Sequence, residues 1–104
     1  MSYSFYDSDG WICDASTITG WSRLREWLSG RTKHLALLEF LEEGSCEDLD
    51  ALRAALAAIK GQPADPGIAS SLATLREAAA AASDVLILSD GSGIDLDQVA
   101  PDND

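Results

Sequence analysis

The stretch Asp84-Val85-Leu86-Ile87-Leu88-Ser89 decides the fold class of this sequence. Four consecutive branched apolar residues between polar ones are typical of a short strand that is buried on both faces. Several helical segments precede this stretch, so the strand needs a partner elsewhere in the chain. We predict that it pairs with strands formed near the N-terminus.

The N-terminal residues predict a β-hairpin. Aromatic and branched apolar residues precede and follow the turn-forming sequence Asp7-Ser8-Asp9-Gly10. If these four residues form the loop, Tyr6 pairs with Trp11 and Phe5 pairs with Ile12. That register sets large apolar side chains opposite one another, where cross-strand packing stabilises a hairpin most. With the strand at 84–89 the hairpin would form a small three-stranded sheet.

The middle of the chain predicts about four helices, each with apolar residues at helical spacing and with terminal residues that favour capping. The second carries a broad apolar face that includes Leu35 and Phe40, and the third opens on Ser45-Cys46-Glu47-Asp48, a variant of the capping box. Gly30 suits a left-handed position after the first helix. The helices are expected from about Ser16 or Thr17 to Ser29, from a Thr32 cap to Gly44, from Ser45 to Gly61, and from an Asp65 cap through the alanine run to Ala82.

These elements predict an α+β fold in one domain. A chain of 104 residues with 46% hydrophobic residues is long enough for one core of ordinary size. We expect residues 1–89 to form a single compact domain. Residues 90–104 contain five Asp and no basic residue, so they predict an acidic, flexible tail.

The net charge narrows the function classes. Eighteen acidic and seven basic side chains give a formal charge of -11, which opposes binding to nucleic acid and to anionic membranes. The same charge attracts basic proteins and speeds their encounter. The alternative is that the charge only keeps the protein in solution. The sequence shows no signal peptide and no apolar run of transmembrane length, so we expect a cytoplasmic protein.

The motifs that carry chemistry in other proteins are incomplete here. Residues 7–10 resemble half of a calcium loop, but the final ligand position falls on Ser16 instead of a Glu. His34 is the only histidine and has no carboxylate neighbour in sequence to orient it. Cys13 and Cys46 lack the spacing of a metal or redox pair, so they predict reduced structural thiols. We therefore predict no catalytic residues, no cofactor and no metal.

Two sequence features predict a partner-binding surface. Six acids fall within twelve residues without an intervening base, around a turn at Gly44; the alternative is a solvated turn. All seven aromatic residues lie in the first forty positions, more than a small domain readily buries, although most must be core. The candidate residues are acids that steer a partner, Glu39, Glu42, Glu43, Glu47, Asp48 and Asp50, and aromatic anchors, Tyr6 and Trp11.

These observations favour a non-enzymatic module that inhibits or regulates a basic protein partner. Bacterial immunity proteins and phage-encoded inhibitors are examples of that class. The alternative is a structural or assembly protein that forms homo-oligomers through sheet edges and the alanine-rich helix. A third hypothesis is a nucleic-acid mimic. However, nine of the eleven net negative charges lie in residues 1–15 and 84–104, and the mimic requires rigidly spaced charge.

Overall fold

The chain folds into a sheet and helices of the predicted α+β class. A computed structural model describes residues 2–89; the predicted acidic tail at 90–104 lies outside them. The described elements are, in order, β1 (Ser2–Asp7), β2 (Gly10–Thr17), α1 (Ile18–Ser29), α2 (Leu35–Glu43), β3 (Ser45–Cys46), α3 (Leu49–Ala57), α4 (Pro66–Ala81) and β4 (Leu86–Ser89).

The sheet has one strand more than the three predicted. Its order is β2-β1-β4-β3, and all the pairs are antiparallel. The prediction that β4 joins the hairpin is confirmed, since Phe5 lies opposite Leu88. The additional strand β3 pairs with the outer edge of β4, where Leu88 donates its N–H to the Gly44 carbonyl at 2.8 Å. Gly44 reaches this position from α2 with a φ of 80°, which glycine adopts without steric cost.

The predicted cap of the third helix at Ser45 is wrong by three residues. Ser45 and Cys46 instead satisfy backbone groups of β4 that would otherwise be unpaired. The helix begins at Leu49, and Asp48 is its N-cap, with Oδ1 accepting from the Ala51 N–H at 3.1 Å. Asp48, which the capping-box pattern places in the first turn of the helix, is therefore the N-cap itself. The helix ends at Ala57, before the predicted stop at Gly61.

One of the two predicted cross-strand pairs of the hairpin is confirmed, and the other is wrong. Tyr6 lies opposite Trp11, whereas Phe5 lies opposite Cys13 and not Ile12. Ile12 is an extra residue in β2, and such a bulge raises the twist of the strand. Since Asp7 also pairs with Gly10, the loop consists of two residues and not four. A second bulge lies at Ala15, which follows Asp14 and has no partner in β1. The bulged strand turns three apolar residues toward the core, Ile12, Cys13 and Ala15.

Local capping fixes two helix starts as predicted. Thr17 Oγ1 accepts from the Gly20 N–H at 3.0 Å at the start of α1. Asp65 Oδ1 accepts from Gly67 N–H at 2.7 Å at the start of α4, with Pro66 in the first turn. The left-handed conformation predicted for Gly30 is wrong, because its φ is -82°. Within residues 2–89, no helix combines the length and apolar character that a membrane span requires.

One aromatic cluster joins the sheet to the helices. Phe5 of β1 is fully buried and stacks on Phe40 of α2, with ring centroids 6.5 Å apart. Trp21 of α1 meets both rings edge-on, at 6.2 Å from Phe5 and 6.0 Å from Phe40. These are favourable geometries for aromatic pairs. The rest of the core is mainly leucine and alanine from the four helices, together with Leu86 of β4.

A polar cluster ties the hairpin loop to the turn before β4. Asp7 Oδ2 accepts from the Ser83 N–H at 3.1 Å, and Ser83 Oγ donates to Asp9 Oδ2 at 3.2 Å. Ser8 donates both its hydroxyl and its N–H to the Asp84 carboxylate. These hydrogen bonds, chiefly that of the Ser8 hydroxyl, hold the pKa of Asp84 below its usual value.

We expect Phe5→Ala to cost about 3–5 kcal/mol of unfolding free energy, because it empties a buried ring site. Phe5→Leu should cost less, since it keeps most of the volume. Tyr6→Ala is the matched control on the other face of the same strand, and it should be clearly milder. Urea denaturation followed by circular dichroism measures all three. Equal losses for Phe5→Ala and Tyr6→Ala would contradict this position of the core.

The Asp84 contacts predict a specific dependence of stability on pH. Because the folded-state pKa is lowered, the stabilisation is present above the unfolded pKa of about 3.9 and is lost as the pH falls through the folded value. Asp84→Asn should therefore be less stable than wild type near neutral pH, with the difference shrinking below pH ~3. Urea midpoints across this range test it, with Glu77→Gln as a control for an exposed carboxylate on α4.

Candidate partner-binding surface

One row of paired residues crosses the face of the sheet that lies away from the core. Trp11 of β2 lies opposite Tyr6 of β1, Tyr6 opposite Ile87 of β4, and Ile87 opposite Ser45 of β3. Their neighbours in the strands, such as Phe5 and Leu86, belong to the core, and successive side chains in a strand point to opposite faces. Strand spacing of about 4.8 Å makes this row about 14 Å long from Trp11 to Ser45.

The row is apolar over three of its four positions and is accessible. Trp11 is 60% exposed, and Tyr6 and Ile87 are half-buried. The prediction that the C-terminal strand is buried on both faces is therefore wrong for Ile87. Among residues 2–89, the helices cover one side of the sheet: Leu86 belongs to the core and Leu88 packs against it, whereas Ile87 does neither. A partner could cover this face without displacing any described element.

An acidic groove adjoins the β3 end of the row. It lies between the first turns of α2 and the segment Ser45–Asp48. Three carboxylates line it, Glu39, Glu47 and Asp48, and Lys33 and His34 lie at its α2 end. Ser45 belongs to both surfaces, since it ends the row and also lines the groove. The predicted aromatic anchors and three of the predicted acids thus border one continuous surface.

The six predicted acids have different local roles. Glu39 and Glu47 are exposed, and neither forms an ion pair with a described residue. Asp48 also lines the groove, but its carboxylate caps α3. Asp50 lies 3.7 Å from Arg53, a separation typical of a weak surface ion pair. The remaining two, Glu42 and Glu43, are exposed on the last turn of α2 outside the groove.

The charge of the groove acts on the thiol at its base. Cys46 is half-buried, and burial is the main cause that raises its pKa. The carboxylates of Asp48, Glu39 and Glu47 raise this pKa further, because a thiolate would be repelled by all three. Cys46 is thus held as a thiol, with its Sγ 3.5 Å from the Asp48 carbonyl. Burial, Glu77 and Asp14 likewise raise the pKa of Cys13, and both cysteines are free.

Leu35 is a groove residue that the sequence did not reveal. Helical periodicity assigns it to the apolar face of α2 with Leu38, Phe40 and Leu41, and this assignment is wrong because Leu35 is 73% exposed. It lies at the first position of α2, before the helix reaches the core, and it lines the groove beside Glu39. No signal in the sequence indicated this, because the predicted cap was Thr32 and the actual N-cap is His34.

The charges of α2 oppose the helix dipole at both ends. Lys33 and His34 precede the positive end of the dipole, and Glu42 and Glu43 occupy the last turn at the negative end. Charges in favourable positions stabilise a helix end by about 0.3–1 kcal/mol, so each inverted end carries a penalty of similar size. His34 is the N-cap but forms no side-chain cap, and the predicted cap Thr32 instead accepts from the His34 N–H at 3.2 Å.

The remaining polar residues do not assemble a further centre in the described part of the chain. Within residues 2–89, no group of three or more His, Cys, Asp or Glu side chains is arranged to bind a metal. Asp7 and Asp9 of the half calcium loop accept hydrogen bonds from Ser83. The turn thus uses these carboxylates to fix the hairpin to the segment before β4.

We expect the same substitution to have very different effects on stability at Leu35 and at Leu37. Leu35→Ala should change the unfolding free energy by less than about 0.5 kcal/mol, as at other exposed positions. Leu37→Ala should cost about 2–5 kcal/mol, because Leu37 is fully buried. Urea denaturation of the two variants tests this contrast. A large loss for Leu35→Ala would show that Leu35 packs in the core and not in the groove.

Comparisons with protein-family models, with curated proteins and with solved structures find no match to this chain. The surface formed by the sheet row and the acidic groove is therefore the basis on which a function can be argued.

Proposed function

We propose that this chain is a non-enzymatic binding module that inhibits or regulates a basic protein partner, in the manner of immunity proteins or phage inhibitors. The observation that carries the proposal is the junction at Ser45 of an exposed apolar row and an acidic groove. Interfaces commonly combine such an apolar centre with a charged rim.

The acidic groove supplies steering and orientation. Glu39 and Glu47 lack ion-pair partners among residues 2–89, so a basic side chain of the partner meets carboxylates that are not already neutralised. The net charge of -11 extends this attraction beyond the groove. Such complementarity acts chiefly on the association rate and weakens as salt screens it.

The apolar residues supply most of the binding energy. Trp11 and Leu35 are the two most exposed large hydrophobic residues among those described, at 60% and 73%. Tyr6 flanks Trp11 on the next strand. Exposed aromatic residues of this kind are the usual anchors of protein interfaces, because they bury a large area at a small entropic cost.

The assembly alternative has less support from the same surfaces. The alanine face of α4 is buried in the core of the same chain, since Ala78, Ala79 and Ala82 are at most 4% exposed. The outer edge of β2 carries two bulges, and bulges hinder edge-to-edge pairing of sheets. Both features that would favour self-assembly are thus weakened. The nucleic-acid mimic also has less support, because the acids of the groove gather on one edge and are not spaced along a rigid element.

The proposal predicts a separation of kinetic effects. A partner is first isolated by affinity capture with the full chain and is then measured by surface plasmon resonance at several salt concentrations. Glu39→Lys with Glu47→Lys should slow association by about tenfold or more at low salt. Trp11→Ala should mainly speed dissociation and weaken the affinity by about 30-fold, as for a hot-spot residue of about 2 kcal/mol.

The matched control is Glu26→Lys with Glu77→Lys. These two exposed acids of α1 and α4 make the same change in net charge but do not line the groove. The control should slow association much less than the groove variant. An association rate that changes neither with salt concentration nor in either variant would overturn the proposal.

A further inference from the structure

A second concave surface carries the opposite charge. It is a cleft of about 330 Å³ between the end of α1, the start of α2 and the end of α3, and we call it the cationic cleft. Its charged residues are Arg31, Lys33 and Lys60, with His34 beside them. Three of the seven Lys and Arg residues of an acidic chain thus meet at one site. Its apolar wall includes Ala55 and Ile59.

The cations of the cleft are not neutralised within the described part of the chain. The ion pairs among residues 2–89 join Arg23 to Asp65 and Arg53 to Asp50, and no carboxylate lines the cleft. Three positive charges held close together repel one another. Because Arg31, Lys33 and Lys60 are exposed, water screens this repulsion, and their charges remain available to an anion.

One of the cations is held in place by its neighbours. The Arg31 guanidinium lies 4.2 Å from the centre of the Trp27 ring, and its Nη1 donates to the Trp27 carbonyl at 3.4 Å. The side chain therefore loses little additional freedom when it binds an anion with its remaining N–H groups. Arg31 is thus a preorganised donor between the two exposed lysines, Lys33 and Lys60.

The start of α2 adds to the positive potential of the cleft. Its first turn has no acid, and His34 provides no side-chain cap for the backbone N–H groups. Lys33 and His34 stand where the dipole favours negative charge. Departures from local rules of this kind concentrate at functional sites.

We propose that the cationic cleft binds a small polyanion that bears phosphate groups. Phosphate oxygens suit this set of donors, because a guanidinium offers paired N–H groups and lysine ammonium groups add point charges. The uncapped start of α2 lies beside the cleft and adds to its positive potential, although Leu35 and Ala36 of the first turn line the groove. The volume suits a small phosphorylated molecule and not a polymer backbone. The groove and the cleft share Lys33 and His34, but Arg31 and Lys60 line only the cleft, so the proposal does not depend on the protein partner.

The test is a titration of the full-length ¹⁵N-labelled chain with inorganic pyrophosphate at constant ionic strength, followed by NMR. Wild type should show saturable shifts of the Arg31 and Lys60 amides, which belong to residues that line the cleft and not the groove. Lys33→Gln with Lys60→Gln should weaken this binding about tenfold or more, because two charge-assisted contacts are lost. Inorganic phosphate should bind at the same amides with lower affinity.

The matched control is Arg25→Gln with Arg23→Gln, which removes two cations of α1 that do not line the cleft. It should leave the pyrophosphate affinity within about twofold of wild type, a change below 0.5 kcal/mol. Shifts that do not saturate, or that spread evenly over the chain, would overturn the proposal. An equal loss of affinity in the cleft variant and the control would also overturn it, since net charge would then account for the effect.

Discussion

Phe5 packs against the rings of both Trp21 and Phe40, and these contacts join β1 to the first two helices. The Phe5 side chain is fully buried although its strand has an open second face. Aromatic rings bury much area and pack in defined relative orientations, so the cluster fixes the sheet against the helices. Because β1 lies between β2 and β4, the orientation of Phe5 also decides which residues of those strands reach the core.

The open face of the sheet follows from that orientation. If Phe5 points inward, Tyr6 must point outward, and strand pairing then places Trp11 and Ile87 beside it. The same row ends at Ser45 only because β3 pairs with the outer edge of β4. The apolar row and the acidic groove thus meet as a consequence of strand register.

Helix α2 connects the two charged surfaces. Its Glu39 faces the acidic groove, while Lys33 and His34 before its first turn line the cationic cleft. The dipole would favour the reverse arrangement, so local helix stability does not explain these charges. Packing of Leu37, Phe40 and Leu41 in the core holds the helix despite this penalty. The tertiary structure therefore tolerates an arrangement that binding of charged partners can relieve.

The sequence by itself determined the elements whose signals are local. Asp65 before Pro66 and the hydroxyl of Thr17 mark helix starts because a capping side chain bonds its own next residues. The hairpin and the pairing of Tyr6 with Trp11 follow from turn-forming residues between apolar ones. The sequence also predicts the acids and the aromatic anchors, but it does not predict that they lie close together.

Only the tertiary structure decided the features that depend on distant partners. Ser45 and Cys46 belong to a capping pattern, yet they form a strand because they hydrogen-bond to the edge of β4 that is otherwise unpaired. Leu35 and Ile87 have core-like side chains, but helix position and strand facing leave them accessible. The cationic cleft collects residues from three helix ends. Periodicity describes one element at a time, whereas burial and proximity are set by how elements pack together.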